Sequence, residues 1–495
     1  MSVKENDTGV QLRLHQINKW HLMPLILALT FLNSTAFVYS TSAGSTSMSA
    51  TGFISYAPLA TINVNQRKAI ATNNLSLGFQ LDGHDIRQWL NQPALQNLSK
   101  NAGFRLVRFF EHRLGKPCVT WNETTKSGTW DWSDIDLLLK RIYENGAEPL
   151  IVLGFYSWDS NQLTSMPVGM STNPQTGLPY PDQWAAYCAA WVDHFKSSGL
   201  PVRYYEMINE PFHYFGWYGD QPQLGYYMQL FNSAAIAMRA SNPSIMIGCD
   251  ESTKKAVLDY FISNGENLDF ISFHRYGAST LDIADADLMA TAETKYLVES
   301  SNKYSPTQAV DIYRTAKGLD LPIIMSEGNL NSAYTNGTDP RTRTMFGAVY
   351  TALSIRMFSL MNIKDCIYFT FGSSGTSGIG MVNIDNSQPW YPYYVQQMIG
   401  TNMAPGDVIV DTTSSSEDIT SLAWIHNTQL NILLICKTAQ ERTITLNGIS
   451  GQAEYSKIDT TVPWQTPRVQ NGTLDLNGPI TMHGYTVILL HPRAS

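Results

Sequence analysis

The chain has 495 residues, enough for two domains. Hydrophobic residues make up 43% and charged residues 15%, against about 25% charged in an ordinary soluble protein, so a large core is feasible and charge is sparse. The net charge is -8 and no Lys/Arg cluster follows the N-terminus, which argues against a nucleic-acid partner, whose phosphates are bound by concentrated positive charge.

The first feature along the chain is Leu22 to Tyr39, an apolar run interrupted at Asn33, Ser34 and Thr35. Arg13 and Lys19 precede it, and the small residues Ser40-Thr-Ser-Ala-Gly-Ser45 follow. Residues 1–45 therefore read as a cleaved secretory signal or an uncleaved anchor, with membrane attachment through residues 22–39. A buried helix is the competing reading. The expected location is extracellular, secreted or anchored at the cell surface. Asn74, Asn97, Asn122, Asn336 and Asn471 head N-x-S/T sites and support a glycoprotein only weakly.

Residues 46–404 read as one domain, in which short apolar runs alternate with longer amphipathic stretches over residues 75–371. The strand candidates are Leu75–Asp82, Phe104–Phe110, Glu148–Phe155, Arg203–Asn209, Ile245–Cys249, Leu268–His274, Pro322–Ser326 and Asp365–Phe371. Helical spacing shows in Trp132–Tyr143 behind Ser133 as a cap, in Trp184–Lys196 and in Tyr226–Arg239. Gly146, Gly199 and Gly318 are the expected helix stops. Eight strands with helical crossovers make a (β/α)8 barrel. A doubly wound open sheet is the alternative, but it usually opens with a glycine-rich phosphate loop, and none is present.

From about 405 the texture becomes all-β. Ile419–His426, Gln429–Lys437, Glu441–Leu446, Ala453–Ile458 and Tyr485–His491 are strand-like, with Asn447-Gly448, Asn471-Gly472 and Asn477-Gly478 as turns. Residues 405–495 read as a β-sandwich appended to the barrel, with Ala60–Ala69 a candidate to join it. Ile432-Leu-Leu-Ile435 and Val487-Ile-Leu-Leu490 are apolar without alternation, which implies burial on both faces. The five cysteines form no CxxC, so zinc and redox motifs are absent; Cys118 with Cys188 is the one pair to consider for a disulfide.

In a parallel barrel the loops after the strands form the active face, and the polar anomalies cluster there. Arg203-Tyr-Tyr-Glu-Met-Ile-Asn-Glu-Pro-Phe212 places Asn209 and Glu210 at the end of the fourth strand. Leu321-Pro-Ile-Ile-Met-Ser-Glu327-Gly-Asn329 places Glu327 at the end of the seventh. His274 and Tyr276 end the sixth, Arg108 lies in the second, and Trp158 follows the third. Two carboxylates on one rim suit retaining glycoside cleavage, in which one protonates the leaving oxygen and the other attacks the anomeric carbon, about 5–5.5 Å apart. The acid, Glu210, is then expected to carry the raised pKa and the nucleophile, Glu327, to stay ionised beside Arg108 and the Tyr276 hydroxyl. Asn209 would donate to the sugar 2-hydroxyl, and Trp158, Trp217 and Tyr218 offer stacking faces. The plainer alternatives are rim salt bridges for the glutamates, a core role for His274 and Tyr276, and helix packing for the tryptophans. Metal and cofactor motifs are absent: there is no HExxH, P-loop, dinucleotide fingerprint or GxSxG. The expected partner is an oligo- or polysaccharide, with no cofactor and no metal.

These motifs resemble a clan A glycoside hydrolase, most like family 39, over roughly residues 75–400. Phe104-Arg-Leu-Val-Arg-Phe is similar to that family's second strand, Gly128-Thr-Trp-Asp-Trp-Ser-Asp-Ile-Asp136 to the start of its next helix, Glu206-Met-Ile-Asn-Glu-Pro211 to its acid/base motif, and Leu268-Asp-Phe-Ile-Ser-Phe-His-Arg-Tyr276 to its sixth strand. The resemblance implies Glu210 as acid/base and Glu327 as nucleophile, with Asn209, His274 and Tyr276 around the sugar. It also implies cleavage of β-xylosides, α-iduronides and related bonds. Three departures stand out. Glu327-Gly-Asn329 replaces an expected Glu-Trp-Asn. Phe110, with His112 nearby, replaces a histidine after the second-strand arginine. Phe369 or Phe371 replaces the clan's eighth-strand tryptophan. His112 and Phe371 are accordingly candidate walls of the sugar site. Family 5 endo-glucanases and mannanases share Asn-Glu-Pro and are the close competitor; a catalytically silent carbohydrate-binding surface protein is the competitor from another class.

Overall fold

The computed structural model describes residues 59–154, 156–157, 162–163, 166–211, 221–295, 299–333, 338–375 and 378–493. The apolar run 22–39 lies outside them. Among the described residues no helix is long and apolar enough to cross a membrane.

Eight parallel strands close into a barrel in sequence order: Ser76–Leu81, Leu106–Phe110, Glu148–Leu153, Tyr204–Met207, Met246–Cys249, Phe270–Ala278, Ile323–Asn331 and Asp365–Tyr368. The last pairs with the first, Asp365 opposite Ser76 and Tyr368 opposite Phe79, so no edge is left open. Inward residues such as Leu106, Leu150, Phe270, Ile324 and Ile367 fill the barrel as a core of their own. The sixth and seventh strands run on past the expected ends, to Ala278 and Asn331, carrying His274, Tyr276 and Glu327 on rigid backbone.

The helices pack outside. Pro181–Ser198 and Pro306–Lys317 stop at Gly199 (φ 74) and Gly318 (φ 72), left-handed positions where a Cβ is unfavourable. Helix Ser133–Glu144 departs from expectation at its start. Ser133 is its first residue rather than its cap, and the Asp131 carboxylate accepts from the Ser133 N–H at 3.1 Å and the hydroxyl at 2.6 Å. An ionised acceptor serves the orphan amides of a helix start better than a hydroxyl. Trp130 and Trp132 stack on each other at 4.4 Å beside Trp191, so they pack helices together.

The C-terminal module is one nine-stranded sheet. Its order is Gln470–Asp475, Gln452–Ile458, Thr486–Pro492, Gln429–Cys436, Ile419–His426, Val408–Ser414, Leu59–Thr72, Arg442–Asn447 and Ile480–Met482. The strand that precedes the barrel thus lies inside this sheet, antiparallel to Val408–Ser414 and parallel to Arg442–Asn447. Apolar runs divide by parity: Leu433, Ile435, Val487 and Leu489 join the barrel-side core, while Ile432, Leu434, Ile488 and Leu490 form a second core. Asn471-Gly472 is not a turn; Gly472 pairs with Tyr455 mid-strand, where a Cβ would collide with the tyrosine ring. All five cysteines are buried and free, Cys118 and Cys188 included.

Candidate active site

Arg108 is the hub of the rim. Its guanidinium is wholly buried, lies over the Phe110 ring at 5.1 Å and is surrounded by polar side chains of neighbouring strands. Nε donates to Glu206 at 2.8 Å, Nη1 to Gln80 at 2.5 Å and to Glu327 at 3.0 Å, and Nη2 to the Asn209 side chain at 2.8 Å. Burial opposes this charge, but Glu206, Asp250 and Glu327 outweigh it and hold the guanidinium more firmly protonated than usual. A buried cation is tolerable only with such partners.

Glu327 is buried and receives the Tyr276 hydroxyl on Oε1 at 2.6 Å and Arg108 on Oε2. Glu210 is half-buried, and its Oε1 lies 2.7 Å from His274 Nδ1. His274 Nε2 lies 2.8 Å from Asp250 Oδ1, and Nδ1 is 3.8 Å from Glu327 Oε1. One oxygen of Glu210, one of Glu327 and a ring nitrogen of His274 all lie within 4.8 Å of one another. That trio has donor types a metal could use, but each donor is already engaged: a cation there would break the His274–Glu210 contact and compete with Arg108 for Glu327.

The electrostatics depart from the sequence expectation. The upward shift falls on Glu327, which burial pushes to about 7. The charges of His274 and Arg108 and the Tyr276 hydrogen bond act against burial, and the Glu210 carboxylate adds to it. The reason is depth: Glu327 sits on a fully buried strand, where its charge loses the solvation of water. Burial also works to deprotonate His274, but Asp250 and Glu327 dominate and keep its pKa well above the usual histidine range. Asp250 stays ionised, held down at about 2: burial raises it, and His274 and Arg108 more than reverse that.

The structure therefore brings Arg108, Asn209, Glu210, His274, Tyr276 and Glu327 together. It sets Phe371 apart from them. Phe371 is 0% exposed and packs on Phe79 at 4.7 Å, so it belongs to the core and not to a sugar-site wall. Phe369 is the eighth-strand aromatic next to the site, edge-on to Tyr276 at 6.3 Å. His112 stacks on Phe110 and contacts the Gly154 carbonyl at 3.0 Å, beyond the third strand. Asn209 spends its side-chain oxygen on Arg108, leaving its amide nitrogen for a ligand. Trp158, Trp217 and Tyr218 lie outside the described residues. Sequence reasoning missed Gln80, Glu206 and Asp250. Glu206 and Asp250 were legible as acids within or directly after short apolar strands, where an unpaired carboxylate would be costly.

Comparison with known proteins bears on this arrangement. The profile of Glycosyl hydrolases family 39 matches residues 58–389. A search of curated proteins returned no match. Among solved structures, a monomeric beta-xylosidase from Caulobacter crescentus CB15 is 17% identical, with a TM-score of 0.61 over 88% of this chain and 100% of that one. A family 39 enzyme from Xanthomonas axonopodis pv. citri is 16% identical, with a TM-score of 0.61 over 89% and 99%. An alpha-L-arabinofuranosidase from Thermotoga maritima is 13% identical, with a TM-score of 0.61 over 87% and 99%. At these identities the structural likeness speaks for the shared fold. The family profile, covering more than half of the chain and the whole barrel, goes further: this protein belongs to glycosyl hydrolases family 39 and is a glycosidase.

Proposed function

We propose that the enzyme is a retaining β-glycosidase acting on oligo- or polysaccharides, with Glu210 as acid/base and Glu327 as nucleophile. The observation that carries this reading is the approach of one Glu210 oxygen and one Glu327 oxygen to within 4.8 Å, short of the separation of about 6.5–9.5 Å that inverting enzymes use. In the first step a Glu327 oxygen bonds to the anomeric carbon, the glycosidic C–O bond breaks, and the Glu210 proton goes to the departing oxygen. In the second, water attacks the same carbon, its proton passes to Glu210, and the bond to Glu327 breaks. Arg108 and Tyr276 stabilise the ionised Glu327 that must begin and end the cycle. Folded relatives named for β-xylosidase and glucosidase activity make β-xylosides and β-glucosides the first substrates to try. The test is hydrolysis of a panel of aryl β-glycosides and of glucan, xylan and mannan, with the anomer of the first-formed sugar read by proton NMR. Retention supports the reading; the inverted anomer sinks the mechanism, and no turnover on the panel sinks the substrate class.

We also propose export, with residues 22–39 as signal or anchor. The motivation is the apolar run behind Arg13 and Lys19. Cell fractionation decides it: the full-length chain confined to cytosol would end the idea.

A further inference from the structure

Asp250 follows the fifth strand directly and is wholly buried, so it faces protein and not a ligand. Both of its oxygens are committed to the surroundings of Glu210. Oδ2 accepts the Glu210 backbone N–H at 2.5 Å, and Oδ1 lies 2.8 Å from Nε2 of His274, whose Nδ1 lies 2.7 Å from the Glu210 carboxylate. We propose that Asp250 is a positioning residue for the acid/base carboxyl of Glu210, holding its peptide with one oxygen and orienting its histidine partner with the other. This rests on the assignment of Glu210 made above.

The backbone explains why a peptide anchor is needed. Glu210 has φ 38 and Ile208 has φ 59, left-handed positions that are strained for a non-glycine residue, and Ile208 is β-branched besides. Such a turn persists only where something outside it holds it. An ionised acceptor on the Glu210 N–H does so, and a charge-assisted bond is roughly twice as strong as a neutral one.

The ring explains the second oxygen. A carboxylate at Nε2 keeps a proton on that nitrogen, so Nδ1 is the atom offered to Glu210. The proton between Nδ1 and Oε1 then has two seats, on the imidazole or on the carboxyl, and the second is the acid form that the first chemical step consumes. Other charged groups around the arm are already engaged. Arg108 is 3.9 Å from Asp250 but 2.8 Å from Glu206 and 3.0 Å from Glu327. Glu327 Oε1 is 3.8 Å from His274 Nδ1 and takes the Tyr276 hydroxyl instead. Glu251 gives its N–H to Asp250 and turns its carboxylate to Lys254 and Lys303. Asp250 thus lies closer to His274 than to Arg108.

The test uses the full chain with Asp250→Asn and Asp250→Ala, comparing kcat/KM across aryl β-glycosides from 2,4-dinitrophenyl to unsubstituted phenyl. If Asp250 acts through the acid, kcat/KM falls about 100-fold for the phenyl glycoside and less than about tenfold for the dinitrophenyl one, which needs no proton. In a Glu210→Ala background the Asp250 substitution then adds less than about twofold. An equal loss across the series, or a full additional loss without Glu210, overturns the proposal and leaves Asp250 a structural carboxylate. A second measurement needs no variant: nitrogen NMR of His274 in the unmodified protein must show Nε2 protonated between about pH 5 and 8. A neutral ring protonated only on Nδ1 overturns the proposal even if no Asp250 variant folds. Should the unmodified enzyme cleave no β-glycoside, the reaction assigned above fails, while the NMR result still decides the Asp250–His274 contact.

Discussion

The Tyr276 hydroxyl donates to Oε1 of Glu327 at 2.6 Å, bridging the ends of the sixth and seventh barrel strands. These strands pair in parallel with a register shift between Phe273 and His274, after which His274 lies opposite Glu327 and Tyr276 opposite Asn329. The irregularity brings histidine and tyrosine of one strand to the same carboxylate of the next. A regular ladder would alternate them differently against their neighbour.

Removing that hydroxyl is the first prediction. Burial holds Glu327 at about 7 against the downward pull of His274, Arg108 and Tyr276. Tyr276→Phe deletes one downward contribution, so the carboxyl moves further up. A nucleophile acts only when ionised, so activity rises as pH rises through this pKa. The acid limb of kcat/KM should begin near 7 in the unmodified enzyme and move to higher pH in the variant, with a loss of about 10- to 100-fold at neutral pH. An unmoved limb would detach it from Glu327.

The two glutamates should fail in different ways. With Glu327→Gly, azide fills the vacated space and attacks the sugar directly, restoring some turnover and giving the α-glycosyl azide. With Glu210→Ala, the dinitrophenyl glycoside still forms the intermediate, and azide intercepts it as the β-glycosyl azide. Swapped product anomers would reverse the assigned roles.

Arg108 carries stability as well as chemistry. Its guanidinium neutralises Glu206 and Glu327 where none of the three meets solvent freely. Arg108→Met leaves two buried carboxylates without their cation and should cost about 3–5 kcal/mol of unfolding free energy along with activity. Chemical denaturation measures this. A loss below about 1 kcal/mol would mean that water reaches the carboxylates.

Truncation after residue 404 should harm the barrel at a distance from its site. Leu433, Ile435, Val487 and Leu489 belong to the barrel-side core, and helix Met345–Leu360 is buried on nearly every face. The remaining Leu59–Thr72 strand would lose both of its partners. The shortened chain should aggregate or unfold cooperatively at lower denaturant, although Glu210 and Glu327 are untouched. A soluble, equally stable barrel would make the sheet an independent module.

Sequence by itself determined the order of elements and the side on which the chemistry collects. Eight apolar runs separated by amphipathic helices admit few topologies. In a parallel barrel every strand's C-terminal end faces one rim, so Asn209-Glu210, His274, Tyr276 and Glu327 were bound to converge. Helix stops at Gly199 and Gly318 were equally local, since a left-handed residue is a property of its own backbone. Tertiary structure alone decided whatever depends on burial or on register between distant segments. Phe371 goes to the core and Phe369 to the site because both lie beyond the eighth strand's end at Tyr368, where strand alternation no longer sets the facing and packing against Phe79 or Tyr276 does. The raised pKa falls on Glu327 because desolvation depends on depth, which no local pattern records. Asp250 reaches both Glu210 and His274 only because the fifth strand pairs with the fourth on one side and the sixth on the other, which sets three residues far apart in the chain within hydrogen-bond distance. Periodicity fixes which way a side chain faces along its own strand; the distance between two strands' ends is fixed only by the register in which those strands pair.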